Sequence, residues 1–491
     1  AVSLSAHNGG ASTATKTITI RPITGATGLA ISGTHTTALI DLNGGDYIRF
    51  DGRPGGSGSA KELTLSNLST SGVTIRYVND ASNNIVRNCV VRGVTTSASS
   101  ATILFSSGTT TGNDDNTIQN CDIRDGATTP NNGIYSFGSS AAVSNDNIQI
   151  LDNNIFNFFQ SANATSGINI NSNNGSWTLT GNSFYQTANR TMTASNQHNG
   201  IFISTSNASV TFTIENNFFG GQAASCGGAA YTILGAYTNR YVGISVSAAA
   251  TSTVSIQGNT IRNFSTNSTS GAATTNGNFS AISVTGGIAN IGTSTGNTIG
   301  ATTGTGSITV NLQTNSGGAA NLINYSGSSA VNISNNTIGA ITLTGATTSI
   351  GEGYNGIIVS GGTPTITNNT IGSTSTANSI NSSTAVTGTV VQSLVGINIT
   401  SGVSATTSIT GNTIANVNQA GTGTGGLNRG IMCQGTGVVT INNNTVRNLS
   451  GATALFSASI TTGIAGILSF GVTASLGSQI MGNTVYALSA T

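Results

Sequence analysis

The chain has 491 residues, charged residues make up only 5% of it, and the net charge is +1. A balance this flat excludes a phosphate-binding or nucleic-acid surface and gives little purchase on an anionic membrane. Gly accounts for 66 residues, and Ser, Thr and Asn are abundant, but Ile and Val return at fixed positions, which argues against a disordered low-complexity chain.

Residues 1–84 read as the entry rungs of a stacked fold, and residues 85–491 as its regular part, together one continuous domain. The first six residues, Ala1 to Ala6, alternate like a strand. From residue 86 a six-position pattern recurs twelve times: apolar, any, Asn/Gly/Asp, Asn, any, apolar. Its fourth position, here position zero, is Cys89, Cys121, Asn153, Asn182, Asn217, Asn259, Asn297, Asn336, Asn369, Asn412, Asn444 and Asn483. Position +2 is apolar in every copy. Position −3 is apolar in all but one, where Ser294 stands. Position −1 is Asn, Asp or Gly, the residues that best accept a left-handed backbone. A strand therefore arrives, turns sharply at −1, and leaves with its +2 side chain inward. Stacked copies would align the Asn side chains in a hydrogen-bonded ladder.

Between these turns lies a second recurring piece, Gly-Ile or a near variant, as at Gly133-Ile134, Gly167-Ile168, Ala281-Ile282 and Gly466-Ile467. Each repeat thus holds three short strands: around Gly-Ile, before the Asn turn and after it. Intervals between turns run from 29 to 43 residues, so length variation falls in loops. Parallel stacking of such coils predicts an all-β fold, a right-handed parallel β-helix of about 14 rungs.

Eleven of the thirteen acidic residues lie at or before Asp152; only Glu215 and Glu352 follow. Acid–base chemistry is therefore confined to the first third. The candidates are Asp122, Arg124 and Asp125, with Arg92 sharing the +3 position of Arg124 one repeat earlier. Their structural alternative is a solvated ion-pair network. Asp114 and Asp115, in Asn113-Asp-Asp-Asn116, are the weak calcium candidates, without a calcium-hand pattern. Otherwise no metal and no cofactor are expected.

Cys89 and Cys121 occupy the same position in adjacent rungs, where either a disulfide or two small apolar replacements for Asn would fit. His7, His35 and His198 are scattered and read as surface or loop residues. Trp177 reads as packed. Position +1 is Thr in seven consecutive repeats, from Thr260 to Thr484. Stacked β-branched hydroxyls favour strands; ice binding calls for a second rank, and position +3 varies. The apolar stretch Leu455 to Gly477 is too rich in Ser, Thr and Gly for a membrane span and carries the Gly-Ile signature. No segment reads as a signal peptide, which suggests a mature chain or a fragment.

The opening section contains Ile18-Thr-Ile-Arg-Pro22, Phe50-Asp-Gly-Arg-Pro-Gly-Gly56 and Asn79-Asp-Ala-Ser-Asn-Asn84. With the Asn-turn repeats that follow, it resembles the secreted right-handed parallel β-helix repeat proteins of gliding-type Gram-negative bacteria, commonly type IX secretion cargo. The resemblance implies an extracellular or cell-surface location and no particular reaction; the sorting domain expected of such cargo does not follow Val485.

From these features the chain is expected to be a non-catalytic extracellular structural protein and not an enzyme. It would be a β-helical rod that assembles head-to-tail through its two solenoid ends into surface fibres, or serves as an adhesin stalk. The expected partners are further copies of itself and a glycan ligand, with no nucleic acid and no membrane span. The alternative is a polysaccharide-binding or polysaccharide-cleaving β-helix protein, lyase- or hydrolase-like.

Overall fold

In the computed structural model the strands on either side of each Asn turn, and those around each Gly-Ile, fall into three parallel sheets. The structure describes residues 2–4, 16–235, 237–268, 277–312, 319–347, 353–382, 385–386, 393–420, 426–451, 463–470 and 477–490. Among these there is no α-helix, only the 3-10 turns Pro54–Gly56 and Ala224–Cys226. The architecture is a right-handed parallel β-helix with three strands per rung.

The chain forms two units. The first comprises Ala1–Thr187, His198–Gly227 and Ser247–Thr253; the second comprises Ala188–Gln197, Gly228–Val246 and Val254–Thr491. In the first unit the Gly-Ile sheet runs in seven strands from Val2–Ser3 to Gln197–Ser204. The pre-turn sheet runs from Ile18–Ile20 to Thr211–Glu215, and the post-turn sheet from Leu29–Gly33 to Phe218–Phe219. In the second unit the corresponding sheets run from Arg240–Ser247 to Gly463–Ser469, from Thr253–Gln257 to Gln479–Met481, and from Thr260–Ile261 to Thr484–Ala490. There the post-turn sheet gains a second ladder, including Tyr231–Leu234, Phe264–Ser268 and Ile308–Leu312. Thr413–Gln419 merges both halves into one strand around Asn416, at φ 56°.

The core is built of stacked columns, because parallel pairing in register places like positions over one another. Val86, Ile118, Ile150, Leu179 and Ile214 form the −3 column of the first unit. Val91, Ile123, Ile155, Phe184 and Phe219 form its +2 column. Ile75, Ile103, Ile134, Ile168 and Ile201 form the third, and all of these side chains are buried. The glycine before that isoleucine has a steric cause. A Cβ on Gly167 would sit 2.5 Å from the Phe184 ring, and one on Gly430 2.4 Å from Val446, the +2 residue of its own rung.

The turns obey the same logic. Eleven of the twelve −1 residues have positive φ, from Asn88 at 52° to Gly181 at 72°. The exception, Gly296, belongs to the repeat whose −3 residue is Ser294. There Ile291 pairs with Ile333 and fills the −3 column, and the extra residues loop out before Asn297. Position zero forms a hydrogen-bonded ladder. Asn336 Oδ1 accepts from the Asn297 backbone N–H at 3.0 Å and from Asn297 Nδ2 at 2.8 Å. Asn336 Nδ2 donates to Asn369 Oδ1 at 2.9 Å and to the Ile291 carbonyl at 3.0 Å. Cys121 enters the column as an N–H donor to Asn153, and Cys89 donates its N–H to Cys121 Sγ at 3.4 Å. Both thiols are buried and free.

A second ladder, not apparent from the repeat, pairs the turn between the Gly-Ile and pre-turn sheets. Asn84 Oδ1 accepts from Ile48 N and Asn116 Oδ1 from Asn84 N, each at 2.9 Å. Asn113 donates both N–H and Nδ2 to Asn145 Oδ1.

Two terminal segments join the Gly-Ile sheet. Val2–Ser3 pairs in parallel with Ile40 and Asp41, so this part of the Ala1 to Ala6 segment is committed to the chain's own sheet; Ala1, Ser5 and Ala6 lie outside the described residues. Of Leu455 to Gly477, residues 463–470 and 477 are described, with Gly463–Ser469 forming a Gly-Ile strand, and the rest lies outside. Among the described residues no helix is long and apolar enough to cross a membrane.

Replacing Asn336 with Leu strands the Ile291 carbonyl, the Asn297 N–H and two neighbouring amides, at about 1–3 kcal/mol for each buried group left unpaired. The variant is expected to unfold at a clearly lower temperature by circular dichroism, while Thr337→Val on the outer column changes little. Equal melting of Asn336→Leu and the parent would contradict the ladder's stabilising role.

Candidate functional site

Along a post-turn strand the +2 side chain points inward, so +1 and +3 point outward. In the first unit these outer columns hold Val90, Asp122, Asn154 and Ser183 at +1, and Arg92, Arg124, Phe156 and Tyr185 at +3. Three of these side chains, Asp122, Arg92 and Arg124, are charged.

Lys61 Nζ donates to Asp122 Oδ1 at 2.6 Å, and Asn154 Nδ2 donates to the same oxygen at 2.8 Å. Asp122 Oδ2 accepts no hydrogen bond among the described residues. Arg124 meets Asp125 Oδ1 at 3.1 Å, and Asn157 Nδ2 donates to that oxygen at 3.0 Å. The Arg124 guanidinium also lies 4.9 Å from the centre of the Phe156 ring, a cation–π contact, and Phe156 stacks on Tyr185 at 4.6 Å. Arg92 is exposed and makes no side-chain bond among the described residues. Burial pushes the Tyr185 phenol up to about 12; the Asp122 charge adds to this and Arg124 opposes it. Tyr185 is thus a neutral wall at ordinary pH, not a base. Asp122, Arg124 and Asp125 stand on one strand but pair apart, Asp122 with Lys61 and Asn154 and Asp125 with Arg124 and Asn157; Lys61 was missed by sequence reading because its loop delivers it from 61 residues away.

That loop is anchored beside a buried carboxylate. Asp51 is fully buried and takes Arg53 Nε on Oδ1 and Arg53 Nη2 on Oδ2, both at 2.8 Å. Arg87 Nε and Nη2 reach its Oδ2 at 3.0 and 2.8 Å. Burial alone would raise this carboxyl, but the bonds from Arg53 and Arg87 outweigh it and hold Asp51 at about 2. Further along, Asn88 Nδ2 donates to the Ser59 carbonyl, and Lys61 reaches Asp122. On the side of this loop away from Asp122 lies a groove of about 440 Å³, lined by Arg53, Gly58, Arg87, Asn88, Gln119, Asn120 and Asp152. None of these emerged from sequence reading, although Phe50-Asp-Gly-Arg-Pro-Gly-Gly56 contains the anchor.

The calcium candidates serve another column. Asp46, Ser82, Asp114, Asp146 and Ser176 stack, and each side chain accepts the backbone N–H of the next. Asp115 accepts from Asn147 Nδ2. The flanking Asn113 and Asn116 are the buried rungs of the second ladder. No group of three or more His, Cys, Asp or Glu among the described residues could hold a metal ion. His198 departs from a surface reading: it is buried, stacks on Phe159 at 5.2 Å and shares a hydrogen bond with Thr165 Oγ1, and burial lowers it to about 3. His7 and Glu352 lie outside the described residues. Trp177 is buried.

No family model matches the chain, and no curated protein does. Among solved structures, it is similar to the A-module of the mannuronan C-5 epimerase AlgE6 of Azotobacter vinelandii, at 13% identity over 93% of this chain and 92% of that one, with a TM-score of 0.28. It is also similar to the PL6 family alginate lyase AlyGC, at 11% identity over 96% and 94% of the two chains and a TM-score of 0.17, and to a mutant of that lyase at 10%, with the same coverage and a TM-score of 0.19. These similar structures are carbohydrate-active enzymes. The expectation of a non-catalytic structural rod that is not an enzyme is the one these findings run against, since the similar structures are an epimerase and alginate lyases. At such scores the likeness concerns the fold, and no residue role is carried from it. A regular stack is a poor argument against chemistry because its +1 and +3 positions can vary in residue type while the −3 and +2 columns cannot.

Burial pushes Asp114 up to about 6, the N–H of Asp146 opposes this, and the charges of Asp146, Asp115 and Asp80 add to it. A carboxyl raised in the fold contributes stability that is present below its ordinary 3.8 and is lost as pH rises through about 6. Asp114→Asn keeps the acceptor oxygen and removes that loss. It should therefore melt above the parent at pH 8, as read by thermal unfolding, with the gap closing below 3.8.

Proposed function

We propose that this chain is a polysaccharide-acting β-helix protein whose working surface is the outer post-turn face of its first unit. The observation that carries this is the run of charged groups along one outer face, Lys61 and Asn154 on Asp122 and Arg124 on Asp125, with Arg92 unspent one rung away, in a chain of which charged residues make up only 5%. Two of its groups are available to a ligand. Asp122 Oδ2 faces no other donor among the described residues and can accept from a ligand, and Lys61 and Asn154 on the other oxygen orient the carboxylate. Arg92 can meet the charge that develops on the ring or the carboxyl group of a sugar. The rungs repeat about every 4.8 Å, so a linear repeating ligand meets repeating outer positions. An extracellular or cell-surface placement suits such a substrate and accords with the resemblance to secreted β-helix repeat proteins.

The test is incubation of the full chain with acidic and neutral glycans, reading new reducing ends and unsaturated products, with retardation in glycan-loaded gels as the binding readout. Asp122→Asn and Arg92→Ala should lower turnover about a hundredfold while leaving the melting temperature nearly unchanged, because exposed ion pairs contribute about 0–1 kcal/mol. Absence of both cleavage and retardation, or cluster variants equal to the parent, would remove this reading.

A further inference from the structure

We infer that the groove lined by Arg53, Arg87, Gln119, Asn120 and Asp152 is a second binding site, one that takes a carboxylate-bearing sugar unit. It rests on the polysaccharide reading only in taking the ligand to be a glycan. Three successive rungs present their turn residues here: Arg87 with Asn88, Gln119 with Asn120, and Asp152. The loop supplies Arg53 from one side.

The site is built before any ligand arrives. Two guanidinium groups side by side would repel, but both are fixed on the buried Asp51 carboxylate through Nε and Nη2. Arg53 Nη1 and Arg87 Nη1 keep their donors, since no further side-chain bond of either arginine occurs among the described residues. Gln119, Asn120 and Asp152 likewise make no side-chain hydrogen bond among the described residues. Gln119, Asn120, Asp152 and one guanidinium nitrogen of each arginine are thus polar groups of the lining not used in holding the fold together, which is how a binding surface differs from a structural ladder.

Its charge is polarised. Arg53 and Arg87 against Asp51 leave one positive charge at one end, and Asp152 stands two rungs away, at the other. A carboxylate fits the guanidinium end, where planar donors favour bidentate pairing. The hydroxyls of the next sugar fit Asn120 and the Asp152 carboxylate. An anion lying along the whole groove would meet Asp152, so the ligand is a uronate with hydroxylated neighbours and not a densely charged polyanion.

Asn and Asp exchange naturally at this turn position, where Asn120 has φ 52° and Asp152 φ 55°, so the charge can be altered without disturbing the bend. The full chain is titrated calorimetrically with a galacturonic acid tetramer and with a galactose tetramer. The acidic tetramer should bind about tenfold more tightly. Asn120→Asp, one rung from Arg87, should weaken it about fivefold, whereas Asp152→Asn should bind it at least as tightly as the parent. The neutral tetramer, which meets either side chain only through hydroxyls, should respond less to both changes than the acidic one does, and both variants should melt like the parent. Equal affinity for the two tetramers, or indifference of the acidic tetramer to Asn120→Asp, overturns the inference. Arg92→Ala read alongside separates the two sites. If it abolishes cleavage while the groove is blind to charge, the groove fails and the working face stands. If no glycan is cleaved while Asn120→Asp still weakens the acidic tetramer, the groove stands alone.

Discussion

One buried amide per rung sets the terms for the rest of the structure. At each Asn turn the chain leaves one sheet for the next, and its backbone groups have no sheet partner there. The position-zero side chain supplies one, taking the N–H and amide of one neighbouring rung and giving to the amide of the other. Because the same oxygen serves two donors, the ladder forms only when turns stack in register. A slip of one residue would carry the −3 and +2 residues to the solvent face and break the amide column together. Register, turn and core are thus enforced by a single interaction, which explains why intervals between turns can vary while the core columns do not move.

This division of labour leaves the outer columns to other tasks. In the second unit the +1 column is spent on small hydroxyl side chains, the Thr column from Thr260 through Thr445. In the first unit the outer columns hold Asp122, Arg124 and Arg92. A burial requirement also shapes the chemistry there. Asp51 is a buried carboxylate, and an unpaired charge in that place would be costly. Two arginines meet the cost, and in doing so they are held at the surface in fixed positions. The need to neutralise one buried group is what arranges the groove.

The sequence discloses the core and the turn almost residue by residue, because each has a steric cause that admits few residue types. Positive φ at −1 restricts the choice to Asn, Asp and Gly, and the crowded wall beside Phe184 or Val446 restricts it to Gly. Where the cause is weaker the signal fades. The second ladder of Asn84, Asn113, Asn116 and Asn145 is equally buried, yet its members sit at uneven intervals among abundant asparagines, and the pair around Asp114 and Asp115 resembled a cation site instead. Ser294 looked like a fault in the repeat and is an insertion after Ile291. At the working face, Asp122 and Arg124 are legible because they stand on a regular strand. Lys61, Arg53 and the free amides of Gln119 and Asn120 are not, because their meeting depends on a loop whose path no periodicity encodes.

That loop links the two sites of the first unit. Within residues 51–61 it ties Arg53 to Asp51, Ser59 to Asn88, and Lys61 to Asp122. The groove and the charged face therefore share one support, and the support ends in the only lysine that touches the candidate acid–base carboxylate among the described residues. The loop is closed at its base by the Glu62 N–H on the Gly52 carbonyl at 2.9 Å, so the segment that carries Arg53 is also the one that positions Lys61. A short closed loop moves as a unit more readily than residue by residue. The proposed groove and the proposed working face thus rest on one short loop laid over a stiff stack, and the fixed register beneath it is what lets so few residues hold both in place.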